Sequence, residues 1–462
     1  MRRDVDLGAL DAYLALGYVP VGEHAVEGIR KVPPGHLLVL EEGHFRLERY
    51  WEPEPRAAER SDEEWLELVR ETVAAAVRRR LVADVPLGAL LSGGIDSSVV
   101  VAEMAKASPE PVRTFTVGFG DPRYDEREHA RAVADRYGTQ HEEVVVESDV
   151  AELLPELAEA FDEPFGDDAA LPLYAVCGQA RRYVTVALTG DGGDEAFAGY
   201  ERYFAHGAAS RVPAPLARVS AQALGILPAA RREPRSTAFR ATRFLKAAAT
   251  SAASRYGGLM EVFPVVVRNA LWTDDARAEI GRQRSAAELL GPAPSDGVRG
   301  LQLLDLRTYL PDDLLLQADI ASMAHSLELR SPFLDHEVVE LGLSLPVHLK
   351  LEGRLGKVAL RRGFAEDLPP SVAARGKKGF GVPLSRWFRA ELRELASDLL
   401  LDRRARERGL LRVETVERML ADHVAGRADH GQRLWTLLML ELWQRHHIER
   451  ERHVNVLSAT PS

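Results

Sequence analysis

Residues 87–100, LGALLSGGIDSSVV, decide the fold. The stretch predicts a short apolar strand ending near Leu91, a sharp Gly-Gly turn, and a helix that begins near Ser97. Backbone N–H groups and hydroxyls at such a helix start form a concave site for anions, and the glycines let a phosphate approach the backbone closely. The stretch is not a Walker phosphate loop, because it lacks G-x-x-x-x-G-K-[ST] and carries Asp96 instead. A carboxylate beside phosphates indicates a bridging Mg²⁺.

Strands and helices alternate on both sides of this loop. A helix begins at Ser61, where Ser61 and Glu64 have the spacing of a capping box. Apolar runs at 114–119, 141–146 and 183–188 predict three further strands with helices between them. This alternation predicts an α/β domain over 56–210, a Rossmann-like parallel sheet flanked by helices, whose ligands bind at the carboxyl ends of the strands.

A second Gly-rich segment, LTGDGGDEAFAGYERY at 188–203, follows the last of these strands. It places Asp191, Asp194 and Glu195 around three glycines at a strand's carboxyl end. Such crowding of carboxylates is unfavourable unless cations share the site. The segment therefore predicts a cation-dependent site next to the first loop.

The remaining segments are organised more simply. Residues 1–55 predict a helix over 7–16 and a β-hairpin with its turn at Glu42-Gly43, too little for an independent domain. Residues 211–300 predict a helical insertion whose basic beginning is read as a solvated face rather than a clamp for a partner. Residues 301–450 predict a mostly helical C-terminal half, and 451–462 a frayed tail.

Composition limits the classes of function. The chain has 462 residues and a formal net charge of −11, which argues against coating DNA or an anionic membrane. Its one cysteine, Cys177, excludes an internal disulfide or a Cys-based zinc site and fits a cytoplasmic protein, with a buried structural role expected for the thiol. Only seven lysines accompany 52 arginines, so the adjacent Lys377 and Lys378 stand out.

The first loop resembles the pyrophosphate loop of the ATP pyrophosphatases, which cleave ATP between the α and β phosphates. The segment at 188–203 resembles the second signature of the asparagine synthetases within that superfamily. The same family resemblance extends to YDEREHARAVADRYGTQHEEV, DEPFGDDAALPLY, DIASMAHSLELRSPFLDHEVVE and KKGFGVPLSRWF, and covers about residues 7–445. Residues 1–55 resemble only the tail of the family's N-terminal glutaminase domain, and Met1 is followed by Arg2 rather than by the catalytic cysteine. The resemblance thus implies a truncated glutaminase domain without glutaminase activity of its own.

The resemblance also assigns roles by position. It implies that Asp96 and Asp194 hold Mg²⁺ and that Asp191, where the family often has Glu, acts as base on incoming ammonia. Lys377 has the position of the lysine that neutralises the α-phosphate, and a compact ammonium in a Gly-flanked loop suits that charge. Leu90, Val117 and Gly190 fall at adenine and ribose contacts, and Asp125 is a further nucleotide-side candidate. The residues implied for the β and γ phosphates are Ser92, Gly93, Gly94, Asp96, Ser97 and Ser98.

The reaction implied is ATP-dependent synthesis of asparagine from aspartate and ammonia, giving AMP and pyrophosphate, and thus amino-acid biosynthesis. Free ammonium or a separate glutaminase chain would supply nitrogen, and a homodimer is in keeping with the family. Two alternatives stay open: a specialised amide synthetase of the β-lactam or lasso-peptide type with another acid and amine, and a non-catalytic partner of an amidotransferase. The intact loops argue against the last. An acidic chain without CxxC pairs disfavours action on tRNA.

Overall fold

The computed structural model describes residues 4–56, 58–146, 150–226, 237–293, 297–376, 379 and 381–449. A five-stranded, all-parallel sheet in the order β5-β4-β3-β6-β7 lies at the centre. Two short antiparallel pairs, β1-β2 and β8-β9, lie outside it. The strands are β1 His36–Glu41, β2 His44–Arg49, β3 Leu87–Leu90, β4 Arg113–Phe119, β5 Gln140–Val146, β6 Val186–Leu188, β7 Glu328–Arg330, β8 Leu351–Glu352 and β9 Leu355–Gly356.

Helices make up most of the rest of the described chain. Tight or widened turns of helix occur at Leu310–Leu314, Pro332–Leu334 and Gln444–Glu449. The α-helices are α1 Leu7–Leu16, α2 Asp62–Arg80, α3 Ile95–Ala107, α4 Arg127–Tyr137, α5 Val150–Ala160, α6 Ala170–Arg181, α7 Gly193–Phe197, α8 Glu201–Ala209, α9 Ala214–Leu224, α10 Thr237–Ala248, α11 Ala252–Met260, α12 Val265–Leu271, α13 Asp274–Ile280, α14 Ala286–Leu290, α15 Gly297–Arg307, α16 Leu315–Met323, α17 His336–Ser344, α18 Val347–Lys350, α19 Val358–Gly363, α20 Pro370–Ala373, α21 Leu384–Trp387, α22 Arg393–Leu400, α23 Arg403–Arg408, α24 Val413–Val424 and α25 Gly431–Trp443.

Two apolar cores cover the two faces of the sheet. One joins α2, α3, α4 and α17 to the sheet, and the other joins α1, α5, α6 and α25 to β4. The predicted α/β class, parallel sheet and helical C-terminal half are therefore confirmed. The capping box at Ser61 and Glu64 is formed as expected, with both reciprocal hydrogen bonds present.

The structure differs from the predicted elements in two places. Strand β7 lies in a segment expected to be helical, because three residues are too few to show an alternating pattern. Helix α3 begins at Ile95 rather than near Ser97, since Gly94 already takes the extended conformation of an N-cap residue. Both differences leave the phosphate loop directly between β3 and α3.

The N-terminal segment has a buried half and an exposed half. Nine of the ten residues of α1 are buried, and its Asp11 pairs with the Arg268 guanidinium at 3.1 Å. The predicted hairpin is present with its turn at Glu42-Gly43, but its apolar residues face outward, including Leu40 at 72% and Phe45 at 71% exposure. Helix α1 therefore belongs to the main core, and the hairpin does not. None of the helices in the described ranges has the length and apolar character that crossing a bilayer requires.

Candidate active site

The strand order reverses between β3 and β6, which run next to each other although four helices and two strands separate them in sequence. Ligands of open parallel sheets bind where the order reverses, beyond the carboxyl ends of the strands. The two Gly-rich segments predicted from sequence follow these two strands. A cavity of about 1130 Å³ opens at this edge of the sheet.

The loop after β3 is held in shape by its own hydroxyl groups. Ser98 is fully buried, and its hydroxyl donates to the Gly94 carbonyl at 2.6 Å. The Ser92 and Ser97 hydroxyls lie 3.1 Å apart, and the Gly94 N–H donates to the Ser92 hydroxyl at 3.3 Å. Ser98 thus stiffens the loop, whereas Ser92 and Ser97 face the cavity.

Gly93 meets two conditions that only glycine satisfies without strain. Its φ is +68°, and a Cβ there would lie 2.6 Å from both the Ala130 nitrogen and the His129 Cβ. The turn after β6 approaches the loop equally closely, since a Cβ on Gly190 would lie 2.8 Å from the Asp96 Cβ. The glycines therefore bring the carboxylates of the two segments to one place.

The structure brings most of the predicted site residues together and leaves four aside. Gly93, Ser98 and Asp125 are not part of the cavity lining, and Lys377 lies outside the described residues. The predicted residues that line the cavity are Leu90, Ser92, Gly94, Asp96, Ser97, Val117, Gly190, Asp191 and Asp194.

Asp125 lies in the loop between β4 and α4 and pairs with the Arg127 guanidinium at 2.7 Å. Burial disfavours its charge, but the hydrogen bonds from Arg127 outweigh that effect and lower the pKa of the Asp125 carboxyl. A Cβ on Gly118 would lie 2.8 Å from Asp125 Oδ1, so this pair packs against β4. The arrangement gives Asp125 a structural partner within the chain.

Asp191 lies on the cavity wall at the start of the second segment. Its carboxylate accepts a hydrogen bond from the Thr189 hydroxyl at 2.7 Å, and that hydroxyl lies 2.9 Å from the Ser331 hydroxyl. These contacts fix the direction of the carboxylate. Asp191 therefore presents an oriented acceptor to the cavity.

A lysine that sequence reasoning missed occupies the centre of the carboxylate cluster. The Lys357 ammonium is buried and forms ion pairs with Asp96 and with Asp194, the latter at 2.7 Å. Burial disfavours its charge, but the two carboxylates outweigh this effect and raise the pKa of Lys357. Gly199 makes room for the side chain, since a Cβ there would lie 2.1 Å from the Lys357 Cε.

The same two carboxylates were predicted to hold Mg²⁺. Both reach one ammonium, so both also reach a single point in space. Within the described residues, no group of three or more His, Cys, Asp or Glu side chains is placed to hold a metal ion. Mg²⁺ commonly binds one or two carboxylates together with substrate phosphates, so Asp96 and Asp194 fit an ion that arrives with the nucleotide.

Glu195 adds a fourth carboxyl group at the back of the cavity. It is 1% exposed and accepts a hydrogen bond from the Tyr200 hydroxyl at 2.5 Å. Burial and the neighbouring Asp194 raise the pKa of Glu195 to about 7. This group therefore changes protonation state near neutral pH.

Two arginines from the C-terminal half line the cavity near the phosphate loop. Arg361 donates to the Ala373 carbonyl at 2.6 Å and to the Arg375 carbonyl at 2.7 Å. Arg375 in turn donates to the Gly93 carbonyl at 3.3 Å and forms an ion pair with Glu126. These contacts hold the phosphate loop against the C-terminal half and place two cations at the cavity wall.

No local motif marks these cations in the sequence, but one signal for Lys357 was available. Lysine is rare in this chain, and the reasoning that singled out Lys377 applies equally to a lysine that follows Gly356. The two arginines carry no such signal among 52. Cys177 is confirmed as a buried structural residue, and burial raises the pKa of its thiol to about 12.

Comparisons with known proteins show the family of this chain. The family model described as asparagine synthase matches residues 68–445. The chain is similar to "Asparagine synthetase [glutamine-hydrolyzing] 1" of Bacillus subtilis (strain 168), with 29% identity over 99% of this chain and 72% of that protein. A putative glutamine-hydrolysing asparagine synthetase of Mycobacterium bovis is 35% identical over 95% of this chain and 67% of its own length.

A more distant relative, "Amidase chry2" of Gibberella zeae, is 26% identical over 81% of this chain and 61% of its own length. The matches to asparagine synthetases cover almost the whole chain, including both Gly-rich segments and the wall that carries Lys357. Because the family model spans most of the sequence and the catalytic edge of the sheet is intact, the chain belongs to the asparagine synthase family of ATP-dependent, amide-forming carbon–nitrogen ligases.

Proposed function

We propose that this enzyme activates a carboxylic acid as its acyl-adenylate and converts it to an amide, with the side chain of aspartate as the simplest substrate. A carboxylate oxygen attacks the α-phosphorus of ATP, and the bond to the β-phosphate breaks, which releases pyrophosphate. Ammonia then attacks the acyl carbon and AMP leaves with the electron pair. The products are asparagine, AMP and pyrophosphate, and a proton passes to the enzyme or to water.

One observation carries this proposal: the phosphate loop and the carboxylate-rich turn meet at the point where the strand order reverses. The meeting point holds the Asp96, Asp194 and Lys357 cluster. A loop that binds anions and a pair of carboxylates have opposite electrostatic preferences, so they share a site only when cations are present. A nucleotide triphosphate with a divalent ion meets both preferences.

Different residues around the two Gly-rich segments, which form the polar end of the cavity, are proposed for Mg²⁺, the phosphates, adenine and ribose. Asp96 and Asp194 would hold Mg²⁺, which supplies neutralisation of the pyrophosphate charge when bound. Lys357 and Arg361 add fixed positive charge on the same side. Leu90, Val117 and Gly190 line the side of the cavity proposed for adenine and ribose. The residues proposed to face the β and γ phosphates are Ser92, Gly94, Asp96 and Ser97, while Gly93 and Ser98 are proposed to shape the loop that holds them.

The second half-reaction requires removal of a proton from the attacking nitrogen. Asp191 is proposed as the base, because its carboxylate faces the cavity and the Thr189 hydroxyl fixes its direction. Lys377 is proposed to neutralise the α-phosphate during both steps, in keeping with its position between Gly376 and Gly379 in the sequence. Free ammonium or ammonia from a separate glutaminase chain is proposed as the nitrogen source.

The test is exchange of labelled pyrophosphate into ATP with Mg²⁺ and aspartate, which reports adenylation alone. We expect exchange by the unmodified protein and a loss of at least about 100-fold in Asp96→Asn, because one oriented charge at the phosphates is removed. Asp135→Asn on the exposed face of α4 is the matched control and should keep full exchange.

Two results separate the half-reactions. Asp191→Asn should retain pyrophosphate exchange and lose amide formation with ammonium, since the base acts only after adenylation. Absence of exchange with any acid, or equal exchange by Asp96→Asn and the unmodified protein, would contradict the proposed function.

A further inference from the structure

The cavity does not end at the phosphate loop. It continues between α8 and α10, where each helix contributes one continuous face. The residues on these faces recur at intervals of three, four and seven, as expected for two helices lining one groove. We call this extension the helical arm; its residues are Glu201, Phe204, Ala205 and Ala208 from α8, Thr237, Arg240, Ala241 and Phe244 from α10, and Leu259 from α11.

The helical arm is mostly apolar along its length. Two phenylalanines, a leucine and three alanines make up most of its surface, and the alanines leave space between the helices. At the solvent-exposed edge of the arm, which we call the rim, Arg240 pairs with Glu201 at 3.0 Å. Arg243 donates to the Leu259 carbonyl. The charges at the rim are thus satisfied within the chain, so the groove itself offers apolar surface.

The junction between the arm and the polar end is rigid. The Arg202 guanidinium pairs with Asp305 at 2.9 Å, and its carbon lies 3.6 Å from the centre of the Tyr200 ring and 4.5 Å from that of Tyr309. The Tyr203 hydroxyl also donates to Asp305 at 2.6 Å. This network fixes the wall where the two parts of the cavity meet, so the arm exists before a ligand enters.

The cavity of about 1130 Å³ holds ATP as well as the acid, so the lining of the helical arm, rather than its volume, indicates the kind of acid. Aspartate is short and polar, and it has no part that would gain from contact with Phe204, Phe244 or Leu259. An apolar groove continuous with the site of adenylation therefore fits a longer acid.

We propose that the acid activated by this enzyme carries an apolar body that lies in the helical arm, while its reacting carboxylate lies at the polar end. This inference rests on the proposed function for the identity of the reaction, and it replaces aspartate by a larger acid as the preferred substrate. The acyl chain packs between the two helix faces, and its length is limited by the extent of the helical arm along α8, from Glu201 to Ala208.

The test uses two series of probes in the pyrophosphate exchange assay: N-acyl aspartates with acetyl, butanoyl, hexanoyl and octanoyl groups, and the straight-chain acids of the same lengths. Each methylene that enters the arm should lower KM about fourfold, equivalent to about 0.8 kcal/mol. The decrease in KM should stop when the acyl chain is longer than the helical arm.

Ala208→Leu places a larger side chain inside the arm, and Ala223→Leu makes the same change on the exposed face of α9. We expect Ala208→Leu to remove the dependence of KM on chain length in the series and Ala223→Leu to retain it. Ala241→Leu, on the facing helix, should act like Ala208→Leu and shows that the effect belongs to the groove rather than to one helix.

The outcomes separate this inference from the proposed function. Exchange with aspartate but no gain with longer acids overturns the inference and leaves the proposed function standing. If no acid supports exchange, the proposed function fails, and calorimetric binding of the octanoyl probe decides the inference. Binding that Ala208→Leu abolishes would support an acyl site, and absence of binding would overturn it.

Discussion

The two ends of the cavity are built in different ways. At the polar end, loops after two adjacent parallel strands supply Asp96 and Asp194, and both pair with Lys357 from a distant segment, so these charges depend on one another. At the other end, two helices face each other with alanine and phenylalanine side chains, and Arg240 pairs with Glu201 at the rim. The polar end thus tolerates little change, whereas the helical arm accommodates changes of size.

This difference separates two properties of the enzyme. Chemistry at the α-phosphorus depends on fixed charges, so it is assigned to the end where charges are buried and paired. Choice of substrate by size depends on apolar volume, so it is assigned to the helical arm.

Replacing Lys357 should have the largest effect on both activity and stability. Lys357→Met keeps the length of the side chain but leaves Asp96 and Asp194 facing each other without their cation. We expect the free energy of unfolding to fall by about 3–5 kcal/mol and pyrophosphate exchange to fall at least about 100-fold. Urea unfolding and the exchange assay measure the two effects.

Lys106→Met is the matched control, because Lys106 is about half exposed while it pairs with two carboxylates, Glu103 at 2.7 Å and Asp367 at 2.8 Å. Its loss should change the free energy of unfolding by less than about 1 kcal/mol. Equal stability of the two variants would show that the buried cluster does not depend on Lys357.

Adjacent glycines of the phosphate loop should respond differently to the same change. Gly93→Ala puts a Cβ on a residue with positive φ and drives it against Ala130, so we expect a loss of about 2–5 kcal/mol and a KM for ATP raised more than about tenfold. Gly94 has a φ of −76°, and a Cβ there would meet only the Ser92 hydroxyl. Gly94→Ala should therefore lower the free energy of unfolding by about 1 kcal/mol or less. Similar values for both variants would mean that the loop is not held in this shape.

Glu195, at the back of the cavity, should make the free energy of unfolding depend on pH. The pKa of Glu195 is raised to about 7 in the folded protein, so the folded state binds more protons than the unfolded chain between about pH 4.5 and 7. Stability from this group is present below that window and is lost as pH rises through it, by up to about 3 kcal/mol. Thermal or urea unfolding across this range measures the slope.

Glu195→Gln should flatten that slope, because the amide cannot titrate. Glu128→Gln, at an exposed position of α4, should leave the slope as it is. A slope that persists unchanged in Glu195→Gln would assign the titration to another group.

The rim of the helical arm should show the smallest effect. Arg240 and Glu201 are both more than half exposed, so Arg240→Gln should change the free energy of unfolding by less than about 0.5 kcal/mol. Urea unfolding measures this value. A loss above about 1.5 kcal/mol would mean that the Arg240–Glu201 pair holds the two helices together. The helical arm would then tolerate less change than its contrast with the polar end implies.

The polar end was largely predictable from sequence because its geometry is local. A strand, a Gly-Gly turn and a helix start lie within fourteen residues, and the turn at Gly190 follows its own strand in the same way. The alternation of strands and helices predicts the parallel sheet, whereas the strand order that brings these two segments together is seen only in the structure. Asp96, Asp191 and Asp194 therefore share a cavity, as expected.

Other parts could not be read from a local pattern. Lys357, Arg361 and Arg375 reach the site from a segment more than 250 residues after the phosphate loop, and tertiary packing alone places them there. The insertion containing α10 was interpreted by composition as a basic connector, since the apolar face of one helix does not show which helix it faces. The role of Lys377 stays a prediction.

The identity of the nucleotide product shows whether the acid is activated as an acyl-adenylate. During turnover with ATP, Mg²⁺, ammonium and an acid substrate, chromatography of the nucleotides distinguishes cleavage at the α-phosphorus from cleavage at the γ-phosphorus. We expect one AMP and one pyrophosphate for each amide formed, and no ADP. Formation of ADP and phosphate in proportion to the amide would contradict it, because the acid would then be activated as an acyl-phosphate.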